Sequence, residues 1–249
     1  METIVKQARE VGTSAGVLLP RSWLNKQVVV TLFSPSIEEI GKEVWEILFK
    51  DKLNEQVKGI YLYGSYARGD YDSQSDIDIL VITHDSNKLI KQGNYEILFV
   101  SEDRFARDLP ESLNYLSMLL ERKVILNSEL IEKYSLKRIK KNFKKNIIEI
   151  EKIVKINNGA IKDCEKKGVN VPDGIIYSVV LRLRELLLAK KILSGKTLHK
   201  DELIKVVGES NYSAYNRIKR NEKELENVNP KDVTELLEIS ENWLRELKG

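Results

Sequence analysis

Cysteine, histidine and long apolar stretches are scarce in this chain of 249 residues. The single cysteine, Cys164, excludes an internal disulfide and is typical of proteins from a reducing compartment. No apolar run approaches the ~20 residues that a membrane-spanning helix needs. The first residues also lack the basic-then-apolar pattern of a signal peptide. We therefore expect a cytoplasmic protein with no membrane partner.

An excess of charge of one sign is also missing. The chain has 41 Lys and Arg residues against 38 Asp and Glu residues, which leaves a net charge of +3. This small net charge provides no overall field that would attract nucleic acid. The length is sufficient for two or three domains.

The pattern of apolar residues divides the chain into three segments. Residues 1–34 contain two stretches rich in β-branched residues, at 3–5 and 27–33, and predict a small β segment. Residues 35–127 alternate apolar strands with amphipathic helices, which predicts a mixed sheet with flanking helices. The strands are expected at 59–63, 77–83, 95–100 and 123–126.

The third segment, residues 128–249, has helical periodicity throughout. A long amphipathic helix is expected from Leu136 to Lys167, a second from Gly174 to Ser194, and a last one after Asn229. Four antiparallel helices with short connections would form a bundle. The predicted fold class is therefore α+β, with a C-terminal helical bundle and a small N-terminal β segment.

A glycine-serine turn follows the strand at 59–63 and is suited to binding phosphate. Gly64 allows the backbone to approach a ligand closely, and the Ser65 hydroxyl adds a hydrogen-bond donor. Arg68 lies one helical turn later and could reach a phosphate oxygen. We therefore expect this turn to hold the phosphates of a nucleotide.

Two acidic residues open the next strand. Asp76 and Asp78 are two positions apart, so both side chains point to one face of the sheet and repel each other unless a cation lies between them. Magnesium is usually held by one or two carboxylates together with substrate phosphates. Glu96 is the acidic residue inside the strand at 95–100 and is the candidate for a third carboxylate in a two-metal site.

These residues resemble the nucleotidyltransferase superfamily that includes DNA polymerase β. The similarity is greatest to the minimal nucleotidyltransferases and the kanamycin nucleotidyltransferase type. The family pattern is Gly-Ser-x-x-Arg-Gly, a short gap, and Ser-Asp-x-Asp followed by apolar residues. It is matched over residues 36–127 by Gly64, Ser65, Arg68, Gly69, Ser75, Asp76 and Asp78.

The resemblance implies a role for each matched position. Asp76, Asp78 and Glu96 would be catalytic metal ligands for two magnesium ions, for which manganese could substitute, and Glu96 could also act as the base. The nucleotide would be bound by Gly64, Ser65, Arg68 and Ser75. The implied reaction transfers a nucleoside monophosphate, most simply AMP, from a nucleoside triphosphate to a hydroxyl acceptor.

The sequence does not identify the acceptor of the nucleotide. A small molecule is favoured, because a fused helical bundle would already fill the position of a protein partner. One alternative is an antitoxin that adenylylates a protein partner. Another is a DNA-binding regulator whose second domain senses nucleotide.

The N-terminal segment resembles a different family. Residues 11–30 are similar to AbrB/MazE-type swapped-hairpin domains, in which two chains interleave and often bind DNA. A copy of about 30 residues is too small to bury its own core, so it should form a homodimer or pack on the second domain. Lys6, Arg9, Arg21 and Lys26 could contact DNA phosphates, and dimerisation without DNA binding is equally open.

The C-terminal segment resembles the HEPN-like, substrate-binding helical domains that accompany minimal nucleotidyltransferases. The resemblance is carried by residues 177–188, 196–199 and 215–221. Ribonuclease members of that group have an arginine four to six residues before a histidine. Neither His84 nor His199 has an arginine at that distance, so we expect no RNA cleavage.

Overall fold

A computed structural model describes residues 4, 6, 8–30, 35–72, 74–134, 136 and 138–248, and these residues form a mixed α+β fold. The predicted fold class is confirmed. Among the described residues the strands are β1 (Arg9–Val11), β2 (Ser14–Gly16), β3 (Val57–Tyr63), β4 (Ile77–Thr83), β5 (Lys88–Gln92), β6 (Tyr95–Ser101) and β7 (Lys123–Leu126).

The helices fall into two groups along the chain. The first group surrounds the sheet and consists of α1 (Ile37–Lys50), α2 (Gly64–Arg68), α3 (Glu102–Asp108), α4 (Leu113–Glu121) and α5 (Ser128–Glu132). The second group follows it and consists of α6 (Lys144–Lys167), α7 (Asp173–Leu193), α8 (Lys200–Val207), α9 (Glu209–Lys219) and α10 (Pro230–Lys248).

The main sheet has five strands in the order β5-β6-β4-β3-β7. The central pair, β4 and β6, is parallel, and the other neighbours are antiparallel. The four strands predicted from the sequence are present. The prediction missed β5, an edge strand with the sequence Lys-Leu-Ile-Lys-Gln, because it is mostly exposed and therefore lacks a run of buried residues.

The sheet carries a hydrophobic core on each face. Helix α1 covers one face, where Val44 and Leu48 belong to one cluster with Ile79 and Ile97. A capping box between Ser36 and Glu39 begins this helix. The other face, which carries Tyr61, Leu80, Ile82 and Val100, packs against α3, α4 and α5 and continues into the helical region.

Helix α7 is the centre of the helical region and packs against α6, α9, α10 and α4. The expected bundle of four helices is corrected to five helices among the described residues. The helix predicted from Leu136 begins only at Lys144. The backbone N–H of Asn142 donates to the carbonyl of Pro110 at 2.9 Å, so this segment bonds to a distant loop instead of extending the helix.

The N-terminal β segment is smaller than predicted. It is the hairpin of β1 and β2, with Glu10 opposite Ala15. Residues 3 and 5 of one predicted strand and residues 31–33 of the other lie outside the described residues, whereas residues 4 and 27–30 are described and form no strand. Apolar side chains in this segment remain exposed, including Val11, Leu18, Leu24, Val29 and Val30.

No helix in the described part of the chain is both long enough and apolar enough to span a bilayer.

A buried ion pair joins the start of α7 to α9. Asp173 is fully buried and accepts hydrogen bonds from Arg217 Nε at 2.6 Å and Nη2 at 2.9 Å. The hydrogen bonds from Arg217 hold the pKa of Asp173 below its usual value. The resulting stabilisation is therefore present at neutral pH and is lost as the pH falls through the lowered pKa.

Replacing Asp173 by Ala should lower the free energy of unfolding by about 3 kcal/mol, because it leaves the Arg217 guanidinium buried and unpaired. Urea denaturation at pH 7 measures this difference. Asp163→Ala, at an exposed site on α6, is the matched control and should change the free energy by less than about 0.5 kcal/mol. An equal effect of the two substitutions would contradict the assigned role of the pair.

Candidate active site

The strand pairing brings the predicted turn and the predicted carboxylates to the same end of the sheet. In the parallel pair of β4 and β6, Asp78 lies directly opposite Glu96. On the other side of β4, Asp78 is paired with Tyr63, the last residue of β3. Gly64 comes immediately after Tyr63, so the turn begins beside the Asp78 carboxylate.

Gly64 adopts a backbone conformation that allows this close approach. Its φ is +72°, and a Cβ at this position would lie 2.1 Å from Asp78 Oδ2. A side chain here would be strained by the backbone and would also collide with the carboxylate. Glycine is therefore required at this position in this structure.

The turn itself is the short helix α2, which ends at Gly69 in a left-handed conformation with φ of +81°. The N–H of Gly69 donates to the carbonyl of Ser65 at 2.8 Å. The Ser65 hydroxyl is partly exposed and has no hydrogen bond to another described residue. It is therefore available to a ligand.

Negative charge is concentrated around Asp78. Burial, followed by the nearby charges of Glu96 and Asp76, raises the pKa of Asp78 to about 7. The same environment affects Tyr63, where burial and then Asp78 and Glu96 raise the pKa of the phenol. Such a cluster is unfavourable unless protons or cations compensate it.

The three predicted metal ligands are close together but do not form a complete cage. Among the described residues, no group of three or more acidic, histidine or cysteine side chains is arranged to hold a metal ion. Asp78 and Glu96 are neighbours across the strands and Asp76 is exposed, while Glu96 pairs with Lys91 Nζ at 2.7 Å. Carboxylate oxygens beside the Gly64–Ser65 turn are of the ligand type that magnesium prefers, and magnesium usually takes its remaining ligands from a substrate.

Arg68 and Ser75, two predicted nucleotide ligands, are engaged with protein groups. The Arg68 guanidinium pairs with Glu121, with Nη1 2.6 Å from Oε2, and with Asp70, with Nη2 3.1 Å from Oδ1. The Ser75 hydroxyl bonds to Asp72, accepting from its N–H at 2.9 Å and donating to Oδ1 at 3.2 Å. Both residues therefore shape the loop between Gly64 and Asp76.

Sequence reasoning missed Glu121, a buried carboxylate at the end of α4. Its Oε2 accepts from the N–H of Gly64 at 3.1 Å as well as from Arg68. An acidic residue directly after Leu119 and Leu120, before a strand, was the available signal. Gly64 and Arg68 lie more than 50 residues away, so the sequence could not identify them as its partners.

Cations from the helical region face this site. Lys200 Nζ lies 2.7 Å from Asp72 Oδ2, and Arg220 Nη2 lies 3.8 Å from the same oxygen. Lys219, at the end of α9, acts on Asp78 and partly offsets the rise in its pKa that burial causes. The helical region therefore supplies part of the positive charge around the carboxylates, together with Arg68 and Lys91.

An open cavity of about 680 Å³ is lined on one side by β6, and none of Asp76, Asp78 and Glu96 is among its lining residues. Leu98 lines it and lies two residues after Glu96, so both side chains are on the same face of the sheet. The rest of the wall comes from α3, α4 and the loop between them, with Arg104, Arg107 and Tyr115 among its residues. The volume is in the range of small-molecule sites.

Comparison with protein families gives a match to the family described as "Nucleotidyltransferase domain" over residues 42–155. A protein of Methanocaldococcus jannaschii named "Putative protein adenylyltransferase MJ0126" is 38% identical over 114 residues, which cover 43% of this chain and 95% of that protein. A second protein of that organism, "Putative protein adenylyltransferase MJ0141", is 50% identical over 46 residues. That match spans 41% of the length of MJ0141 and 18% of this chain.

The solved structure of spectinomycin adenyltransferase AAD(9) from Enterococcus faecialis with ATP and spectinomycin is similar over 85% of this chain and 100% of that chain. The identity is 16% and the TM-score is 0.39. A likeness at this level carries no information about the substrate of this chain.

Proposed function

Because the chain belongs to the nucleotidyltransferase family, we propose that it transfers AMP from ATP to a hydroxyl acceptor in a magnesium-dependent reaction. The observation that carries the proposal is the juxtaposition of Asp78 with Glu96 beside the Gly64–Ser65 turn. Carboxylates and a turn suited to phosphate at one end of the sheet are the groups that phosphoryl chemistry needs.

The chain's own residues have defined tasks in this proposal. Asp76 and Asp78 would hold the metal ions, and the Ser65 hydroxyl and Lys219 would contact phosphate oxygens. Magnesium, when bound, neutralises charge on the phosphates and on the acceptor oxygen. Glu96 would orient the acceptor and take the proton of its hydroxyl group.

The reaction then balances as a substitution at the α-phosphorus. The acceptor oxygen forms a bond to the α-phosphorus, and the bond from that phosphorus to the oxygen bridging to the β-phosphate breaks. Pyrophosphate leaves with the bonding electrons, and the hydroxyl proton passes to Glu96 and then to solvent.

ATP labelled separately at the α- and γ-phosphates tests the reaction class. The purified protein is incubated with magnesium, labelled ATP and an extract that supplies acceptors. We expect the α-label to become attached to an acceptor and the γ-label to be released in pyrophosphate. Transfer of the γ-label, or of neither label, would contradict the proposal.

The cavity lined by Leu98, α3 and α4 supports a small-molecule acceptor, because its volume matches a ligand of that size. A protein acceptor is the second candidate, and the names of the Methanocaldococcus relatives favour it. Separating the extract into metabolite and protein fractions distinguishes the two. The α-label will appear in small molecules in the first case and in precipitable protein in the second.

We also propose that residues 1–34 join two copies of the chain. The exposed apolar side chains of Val11, Leu24 and Val29 are the support for this, since one short hairpin cannot bury them. Deleting residues 1–34 should therefore convert a dimer into a monomer, as measured by light scattering, and should leave nucleotide transfer within about twofold of the full chain.

If the chain is instead a DNA-binding regulator, deleting residues 1–34 removes its main activity. The full chain would then shift a random DNA duplex in a gel, with affinity that falls steeply as salt increases, and the deletion would abolish the shift. A monomeric full chain would contradict the proposed role of this segment.

A further inference from the structure

Glu121 is a buried carboxylate that contacts the Gly64–Ser65 turn of the candidate site. Its side chain is only 5% exposed, and its two oxygens have three donors. Oε2 accepts from the Gly64 N–H at 3.1 Å and from Arg68 Nη1 at 2.6 Å, and Oε1 accepts from Ser117 Oγ at 2.5 Å. A buried carboxylate with this many donors has one fixed position.

These contacts change the role that can be given to Arg68. One edge of its guanidinium bonds to Glu121, and the other bonds to Asp70, with Nε 3.2 Å from Oδ2. The Gly64 N–H is also satisfied by Glu121. Neither donor can serve a phosphate without breaking a buried charge-assisted bond, which is costly. Arg68 is therefore placed as a bridge between two carboxylates.

The second carboxylate of this bridge reaches the helical region. Asp70 Oδ2 accepts from the backbone N–H of Lys200 at 2.8 Å, and Lys200 is the first residue of α8. The ammonium of Lys200 in turn pairs with Asp72. The first turn of α8 is thus tied to the loop that leads from Gly64 to Asp76.

We propose that Glu121 and Asp70, bridged by Arg68, are positioning residues that hold the Gly64–Ser65 turn and helix α8 in a single geometry competent to bind nucleotide. The proposal rests on the nucleotide-binding function proposed above and deepens it. In this arrangement the loop from Gly64 to Asp76 connects the turn to α8. The connection keeps the cations of α8 and α9 beside the carboxylates.

Two variants test the connection, each with a matched control. Glu121→Gln removes the charge that fixes Arg68, and Asp70→Ala removes the acceptor of the Lys200 N–H. The controls are Glu246→Gln, in the exposed pair with Lys190, and Asp201→Ala, an exposed residue on α8 itself. Circular dichroism checks that each variant folds. If Glu121→Gln does not fold, Asp70→Ala alone tests the proposal.

Hydrogen exchange of the nucleotide-free proteins is the first readout. Both variants should speed exchange in the first turn of α8 by about tenfold, since a charge-assisted bond is lost in each. The double variant should exchange no faster than the faster single variant. An unchanged exchange rate in α8 for Glu121→Gln would overturn the proposal. So would a double variant whose increase in exchange rate equals the product of the two single increases.

Binding of a non-hydrolysable ATP analogue with magnesium is the second readout. Calorimetry should show about tenfold weaker binding for both variants and no change for the controls. Tighter binding by Glu121→Gln would overturn the proposal, because Glu121 would then be an occupant of the phosphate position. A wild type that binds no analogue but keeps the exchange coupling would refute the proposed function and still support the structural connection.

Discussion

Replacing Asp78 by Asn should reduce nucleotide transfer by a factor on the order of 10³, because the substitution removes a proposed metal ligand from the centre of the candidate site. The fold should be retained. Asp78 is crowded by Glu96 and Asp76, so loss of its charge relieves repulsion within the folded protein. The transfer of α-labelled ATP measures activity, and thermal unfolding measures stability.

Asp85→Asn is the matched control for this prediction. Asp85 is exposed just beyond the other end of β4, away from the candidate site, and its replacement should leave both activity and stability unchanged. A fully active Asp78→Asn protein would exclude Asp78 from the proposed metal site. An unfolded variant would contradict the repulsion that the structure shows around this carboxylate.

Replacing Gly64 by Ala should have the second largest effect. The new Cβ would meet Asp78 Oδ2 at 2.1 Å, in a backbone conformation with φ of +72°. We expect a loss of about 2 kcal/mol in the free energy of unfolding. Activity should fall by about 100-fold, because the turn and the carboxylate must move apart.

Gly93→Ala separates backbone strain from the collision with Asp78, the two causes of the effect expected for Gly64→Ala. Gly93 has a similar φ of +60°, in the turn between β5 and β6, but a Cβ there would meet nothing within 4 Å. The control should therefore show the backbone strain alone, about 1 kcal/mol, with normal activity. Equal activity of the two variants would show that contact with Asp78 is not critical.

Much of the sheet was predictable because β3, β4 and β6 are continuous and largely buried apolar runs between turn signals. Strand β4 was predicted at its observed bounds, and β6 within one residue. The edge strand β5 was not, because alternate residues meet solvent on both faces and no apolar run remains. Local sequence therefore predicted the three central strands and the edge strand β7, and missed the edge strand β5.

The candidate site shows the same limit. Gly64, Asp76 and Asp78 are close in sequence, so their spacing already placed them together. Glu121 was missed because its role depends on contacts with residues more than 50 positions away. Arg68 was predicted to bind a phosphate because the sequence does not show that two carboxylates bind its guanidinium instead.

The helical region was predicted in outline and differs in detail. The segment from 138 to 143 has helical periodicity but is not helical, since Asn142 bonds to Pro110 in a distant loop. The docking of α8 on the loop at Asp70 also had no sequence signal, because a backbone N–H makes the contact. Division of the chain at residues 34 and 127 stays a prediction, as do the AbrB-like and HEPN-like resemblances.

Anomalous diffraction from crystals grown with manganese and a non-hydrolysable ATP analogue tests the central claim most directly. We expect an anomalous peak within coordination distance of both Asp76 and Asp78, with the triphosphate beside the Ser65 hydroxyl. A nucleotide bound elsewhere on the molecule, or bound beside the turn with no metal at these carboxylates, would contradict it.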